Sequence, residues 1–375
     1  MRPSLSIRLG LSVEAVEPEL TGIGRYSLEL ARRLPRHSSI RSLTLFRGLE
    51  TLSDVETLTR MELRRRRGHR LVSQVSRALA RHRINLFHGP NYFLPDWAEQ
   101  GVVTVHDLSV FRFPELHPTE RVSAFERGLR ASIDRASHLI TDCETIRREV
   151  IDFTGFSPDH VTAIPLGVSS NFQLVPAEVR QAVLARHGLP AGGYGLTLSS
   201  FEPRKRIASL LRAWRLLPRP VRDRIPLAIA GASGWKNETL HDEIREGTRE
   251  GWVIPLGFVP DEDLPALYSG STLFVFPSIY EGFGLPPLEA MASGVPTMVA
   301  SSSCLEEVTK GAAMLCQPDD IDAFADDIAR ALEDEPWRQR AISAGIQVVK
   351  DYTWERCVDE TVGVYQQVMG KLADR

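Results

Sequence analysis

"TLFVFPSIYEGFGLPPLEAMASG", Thr272 to Gly294, carries a decisive order of residue types. Its first part is a short apolar run rich in aromatic and β-branched residues, which predicts a buried strand. A loop with Gly282 and Gly284 follows. Pro286 and Pro287 then suit the first turn of a helix, where a missing N–H is harmless, and Gly294 suits its end. Strand, glycine loop and helix in that order form one step of a parallel α/β sheet.

The same step recurs along the chain. In the second half the expected strands are "GLTLSS", "PLAIAGA", "WVIPLGF", "TLFVFPS", "PTMVAS" and "AAMLCQP", with helices over 205–216, 238–250, 261–269, 286–293 and 319–333. In the first half they are "LSIRLGLSV", "INLFHGP", "GVVTVHD", "SHLITDC" and "VTAIPLGV", with a helix in "GRYSLELARRL". His88, His106, Asp107 and Asp142 stand at the carboxyl ends of these strands, where parallel sheets bind ligands. At 375 residues the chain is long enough for two such domains. Two facing Rossmann-like domains with a cleft between them are expected, over 1–172 and 173–353, followed by a final helix in 354–375.

Composition excludes some classes. The formal net charge of −3 names no partner, and no apolar run reaches the roughly 20 residues of a membrane-spanning helix. The N-terminus shows no secretory signal, and Cys143, Cys304, Cys316 and Cys357 are scattered. Reduced thiols in a cytoplasmic protein are the simplest reading. Between Arg60 and Arg83 nine arginines face one acid, Glu62. That segment reads either as a solvated basic helix or as a patch for anionic lipid. No aromatic residues interleave with the arginines, which disfavours nucleic acid.

Four places can carry chemistry. Gly282 and Gly284 let the backbone approach a ligand, and the helix start behind them attracts phosphate. Glu281 on the loop and Glu289, expected in the first turn of the helix, can accept hydrogen bonds from sugar hydroxyls. Together they read as a sugar-nucleotide site; a tight turn with a helix cap and two solvated acids fits the same spacing. Arg204 and Lys205 in "SSFEPRKRIASLL" open a helix after a strand and can neutralise a diphosphate. An ordinary basic helix start is the alternative. His106 can bond a sugar hydroxyl or orient an acceptor, or be a buried histidine satisfied by backbone. Gly22 and Gly24 precede a helix, but Ser27 holds the third glycine position of a dinucleotide fingerprint, so a loop lining the cleft is expected.

"PSIYEGFGLPPLEAMASGVP", "FEPRKRIASLL", "GFVPDEDLPALYSGS", "TVHDLSVF" and "TGIGRYSLEL" together resemble the retaining glycosyltransferases of family 4, with the GT-B fold. "HGPNYFLP" and "VHDLSVFRFPELHP" are similar to the bacterial mannosyltransferase branch that builds O-antigen. The resemblance implies that Glu281 contacts the transferred sugar and Glu289 the nucleotide ribose. It places the amides of Phe283, Gly284 and Leu285 on sugar and phosphate, and Arg204 and Lys205 on the diphosphate. His106 would sit by the donor sugar, Gly22 and Gly24 would approach donor and acceptor, and the final helix would cross back to the first domain. Ser200 stands where many members carry a basic residue, and Asp142 and Cys143 stand where valine and serine are usual.

The activity implied is transfer of mannose, or a deoxyhexose such as rhamnose, from a GDP-sugar to a lipid-linked saccharide. Alternatives are a UDP-hexose donor or a nucleotide-sugar 2-epimerase of the same fold. No cofactor or metal is expected: there is no Asp-x-Asp motif at a strand end, and "PDED" reads as a helix start with Asp261 as its N-cap. The location expected is the cytoplasm, with peripheral contact at the inner face of the membrane through 60–83.

Overall fold

The computed structural model describes residues 6–48, 50–59, 83–98, 101–191, 193–231 and 238–373. The arginine-rich segment, up to residue 82, lies outside them. The chain forms two compact units, one of Met1–Gly167 with Trp354–Arg375 and one of Val168–Thr353.

In the first unit the strands are β1 (Ile7–Ser12), β2 (Ile40–Arg47), β3 (Glu50–Leu52), β4 (Leu86–Gly89), β5 (Gly101–Thr104), β6 (Ala136–Thr141) and β7 (Val161–Ala163). They make one sheet in the order β3-β2-β1-β4-β5-β6-β7, parallel except for the short edge strand β3. Leu9, Leu11, Val102, Val103 and Leu139 are fully buried, as expected of strands covered by helices on both faces. The final helix, Trp354–Ala373, belongs to this unit and packs on the helix Gly22–Arg33, β1 and β6. Trp354, Val362 and Tyr365 are buried there.

The second unit has six parallel strands: β8 (Gly195–Leu198), β9 (Leu227–Ala230), β10 (Val253–Gly257), β11 (Leu273–Phe276), β12 (Thr297–Ala300) and β13 (Met314–Cys316). Their order is β10-β9-β8-β11-β12-β13. Each falls inside one of the six apolar runs read from the sequence. Trp214, from the helix Ile207–Leu216, and Phe324, from Ile321–Glu333, fill the core on one face.

Several local expectations are corrected. The cations Arg204 and Lys205 lie in a 3₁₀ turn, Pro203–Lys205, and the α-helix begins only at Ile207 after Arg206 at φ 53°. The helix expected at 261 runs Leu264–Gly270, preceded by Asp263 rather than capped by Asp261. Asp263 does not cap it either, because Arg186 at 2.6 Å and His187 at 2.8 Å hold its carboxylate. Glu289 lies in the second turn of the helix Leu285–Ala292, not the first. Glu335–Val348 forms a helix that the sequence reading left out.

Candidate donor site and the histidine of the first unit

In the second unit the strand order reverses between β8 and β11. Parallel sheets bind their ligands beyond the carboxyl ends of the strands, in the crevice at such a reversal of strand order. The loop after β8 carries Ser200, Glu202, Arg204 and Lys205; the loop after β11 carries Tyr280, Glu281, Phe283 and Gly284. Residues 76 apart in sequence meet because their strands are neighbours.

The meeting is electrostatic. Lys205 Nζ donates to Glu281 Oε1 at 2.5 Å, and Arg204 Nη1 lies 3.4 Å from Glu281 Oε2. Arg204 also donates to the Tyr280 carbonyl at 2.7 Å and to Glu202 at 3.1 Å. Ser200 Oγ donates to the other Glu202 oxygen at 2.7 Å. Lys205 stands 5.4 Å from the centre of the Phe276 ring. Burial works against the charge of Glu281, but Lys205 and then Arg204 outweigh it and hold its carboxyl below the usual range. Burial also lowers the Lys205 pKa, with Glu281 opposing and Arg204 adding to the drop.

Beside this cluster the backbone offers donors. Gly284 precedes the helix Leu285–Ala292 at φ 100°, a conformation only glycine takes without strain, and a Cβ there would lie 2.5 Å from Leu305. The amides of Phe283 and Gly284 have no acceptor among the described residues. Pro286 and Pro287 bring none, so the donors at this helix start are few and lie on the loop. Phe283 and Leu285 are themselves buried. Glu289 is buried one turn on and accepts from the Tyr268 hydroxyl at 3.2 Å. Cys304 was missed by the sequence reading: its thiol donates to the carbonyls of Glu281 at 3.1 Å and Phe283 at 3.4 Å, pinning the loop from below. Nothing in its local sequence signals that contact.

In the first unit His106 follows β5 and is 5% exposed. Its Nδ1 lies 2.7 Å from Asp142 Oδ2 and its Nε2 2.8 Å from the Pro90 carbonyl oxygen. Both ring nitrogens are therefore engaged, and neither is presented to a sugar hydroxyl in this arrangement. Burial lowers the imidazole pKa, but Asp142 and the Pro90 carbonyl oppose it and the net direction is up. Gly22 and Gly24 lie within the first turn of the helix Gly22–Arg33 rather than before it. The Gly24 amide is capped by Thr21 Oγ1 at 3.2 Å, and a Cβ there would lie 2.7 Å from the Ala15 carbonyl oxygen. Gly24 is thus required by close backbone packing. A hollow of about 230 Å³ lies beside it, lined by Glu14, Glu17, Glu19, Thr21, Ile23 and Asn91. Among the described residues no group of three His, Cys, Asp or Glu side chains is gathered to hold a metal.

Comparison with known proteins agrees with this picture. Residues 193–348 match the family described as Glycosyl transferases group 1, and residues 20–172 match Glycosyltransferase Family 4. Sucrose-phosphate synthase from Thermosynechococcus elongatus superposes with a TM-score of 0.73 at 22% identity, covering 97% of this chain and 100% of that one. The O-antigen chain mannosyltransferase B of Escherichia coli is 37% identical, over 96% of this chain and 100% of its own length. The serotype-specific mannosyltransferase WbdA of Escherichia coli is 32% identical over 60% of this chain, but that match spans only 28% of WbdA.

Two Rossmann-like units give the chain the GT-B fold, and the family matches make it a glycosyltransferase. The chain belongs to glycosyltransferase family 4.

Proposed function

We propose that the protein transfers mannose, or a closely related deoxyhexose, from a GDP-sugar to a lipid-linked saccharide during O-antigen synthesis, with retention at the anomeric carbon. The observation that carries this reading is the end-to-end likeness, at 37% identity, to an O-antigen chain mannosyltransferase. The cation–acid cluster between β8 and β11 supports the chemistry. In the proposed reaction the donor diphosphate draws Lys205 and Arg204 toward itself, and the Phe283 and Gly284 amides add to its hold. Glu281, relieved of its counterions, then accepts hydrogen bonds from the sugar, while Glu289 takes the ribose.

Glu202, the other carboxylate of this cluster, is held by Arg204 and Ser200, and neither it nor Glu281 is read as a nucleophile of the kind retaining glycosidases use. The proposed route is therefore front-face: the diphosphate departs with its charge held by the cations, the acceptor hydroxyl attacks the same face, and a departing phosphate oxygen takes its proton. We also propose that transfer requires His106. The reaction is read as taking place in the cytoplasm, at the inner face of the membrane, without a metal.

A melting-temperature screen against GDP-, UDP-, dTDP- and ADP-sugars tests the donor, since a ligand at 100 times its Kd adds about 2.7 kcal/mol. GDP-mannose is expected to give the largest rise. Selective stabilisation by a UDP-hexose would overturn the donor assignment. An inverted anomeric configuration in the product would overturn the mechanism, and turnover abolished by chelator and restored by manganese would overturn its metal independence.

A further inference from the structure

The surroundings of His106 contain more than the proposed transfer explains. β5 and β6 are neighbours in register, so His106 and Asp142 leave adjacent strand ends side by side. The Pro90 carbonyl can only accept, so His106 Nε2, 2.8 Å away, carries a hydrogen. Nδ1 and Asp142 Oδ2, 2.7 Å apart, share one more proton. The Pro90 carbonyl is held in turn. Two residues on, Tyr92 at φ 64° donates its amide to the Thr104 carbonyl at 3.0 Å and accepts the Asp107 amide on its hydroxyl at 3.1 Å. The rings of Tyr26 and Tyr92 stand edge-on to His106 at 5.2 and 5.7 Å. Turning the imidazole would break two hydrogen bonds and displace two tyrosines.

Stability does not account for Asp142. It is 2% exposed, and its second oxygen, Oδ1, is buried with no partner among the described residues. A half-satisfied buried acid costs more than an apolar residue of its size. Such a cost is found where a site needs the group.

We propose that Asp142 is a positioning residue: it holds His106 in one orientation as an imidazolium, both N–H groups committed to the protein, so that the ring serves sugar transfer as one end of a fixed dipole and not as a proton-transfer base. The proposal rests on the reading that transfer requires His106. The titratable groups facing the ring are Asp142 after β6, Asp107 beside it, Tyr26 on the first helix, Tyr92 after β4 and His88 within β4. The two aspartates favour the cation. His88, its pKa lowered by burial, and Tyr26, its pKa raised by burial, are neutral at physiological pH and do not compete for it.

The test uses full-length protein labelled with ¹⁵N-histidine, as wild type, Asp142→Asn and His106→Asn, the last assigning the His106 signals. Wild type is expected to show both ring nitrogens protonated between about pH 6 and pH 8. In Asp142→Asn, of the same shape, Nδ1 is expected to lose its proton while Nε2 keeps its own. With the nucleotide sugar selected by the melting screen, Asp142→Asn should lower kcat roughly tenfold to a hundredfold at nearly unchanged KM. It should also gain a pH dependence in that range which wild type lacks. A bare Nδ1 in the wild type would overturn the proposal, and that spectrum decides even if Asp142→Asn fails to fold. Wild-type kcat and pH profile in Asp142→Asn, with His106→Asn impaired, would remove the positioning role and leave His106 its own. Wild-type turnover in His106→Asn would instead overturn the underlying reading of His106.

Discussion

Lys205 and Glu281 are counterions buried together, and each makes the other tolerable. Lys205 is 8% exposed and Glu281 9%, so little water screens the pair. Removing one member strands the other; removing both removes the problem along with the attraction. Lys205→Ala is therefore expected to lower the stability of the second unit by about 3 kcal/mol, at the low end of the range because Arg204 stays near Glu281. Lys205→Met with Glu281→Gln should cost far less than the sum of the single changes, as measured by urea unfolding. Additive losses would show that the two side chains do not interact. Catalysis separates from stability here: Lys205→Ala should also lower kcat about a hundredfold under conditions where the variant is fully folded. The pair has a pH signature. The Glu281 carboxyl titrates lower in the folded state than the ordinary 4.5, so its contribution is present above 4.5 and is lost as pH falls through the folded value. The stability gap between wild type and Glu281→Gln should accordingly narrow on acidification below that point.

At the scale of elements, β4, β5 and the final helix are tied by one buried polar chain. Tyr26 meets Thr104 at 3.1 Å, Thr104 meets His88 Nε2 at 2.8 Å, and His88 Nδ1 meets the Tyr365 hydroxyl at 2.7 Å. His88 is fully buried, and burial, with His106 nearby, pushes its pKa down to about 3. Its folded value lies below its unfolded one, so the stability it contributes is whole above about 6.5 and is lost as pH falls toward 3. The first unit should lose up to about 1.4 kcal/mol per pH unit over that window, and His88→Gln should flatten the slope. An equal slope in the variant would place the acid sensitivity elsewhere. This tie also marks what the sequence could show. The six strands of the second sheet were legible because each is a buried run between glycines and prolines. Glu281 and Glu289 were legible because the Gly-Pro frame fixes a loop and a helix around them. β2 was not: "IRSLTLFR" has a charge at each end and only part of it is buried. Arg206 in the left-handed region turned an expected helix start into a 3₁₀ turn, and no propensity scale anticipates that at an arginine. Asp142 was visible at a strand end, but its bond to His106 arises from strand order, which one sequence does not display.

At the scale of the whole molecule, the chain leaves its first unit at Gly167 and returns at Trp354, so the two units differ in how they can be cut. Val168–Thr353 is one continuous segment containing a complete six-stranded sheet and every proposed donor-binding residue from Ser200 to Glu289. The first unit is split, and it is completed by the last 22 residues, Trp354 to Arg375. Trp354, Val358, Val362, Tyr365 and Val368 are each at most 4% exposed there. At about 1.5–3 kcal/mol for each large apolar side chain withdrawn from water, their loss rivals the 5–15 kcal/mol by which a domain is stable at all. A chain ending at Thr353 is therefore expected to unfold in its first unit while its second stays native, giving protease digestion down to a fragment that begins near Val168. That fragment, made directly, should melt cooperatively and be stabilised by the same nucleotide sugar as the full chain, though it transfers nothing. Survival of an intact first unit without the final helix would contradict the packing argument. A well-folded fragment indifferent to every nucleotide sugar that stabilises the full chain would show that the crevice between β8 and β11 is not sufficient to hold the donor.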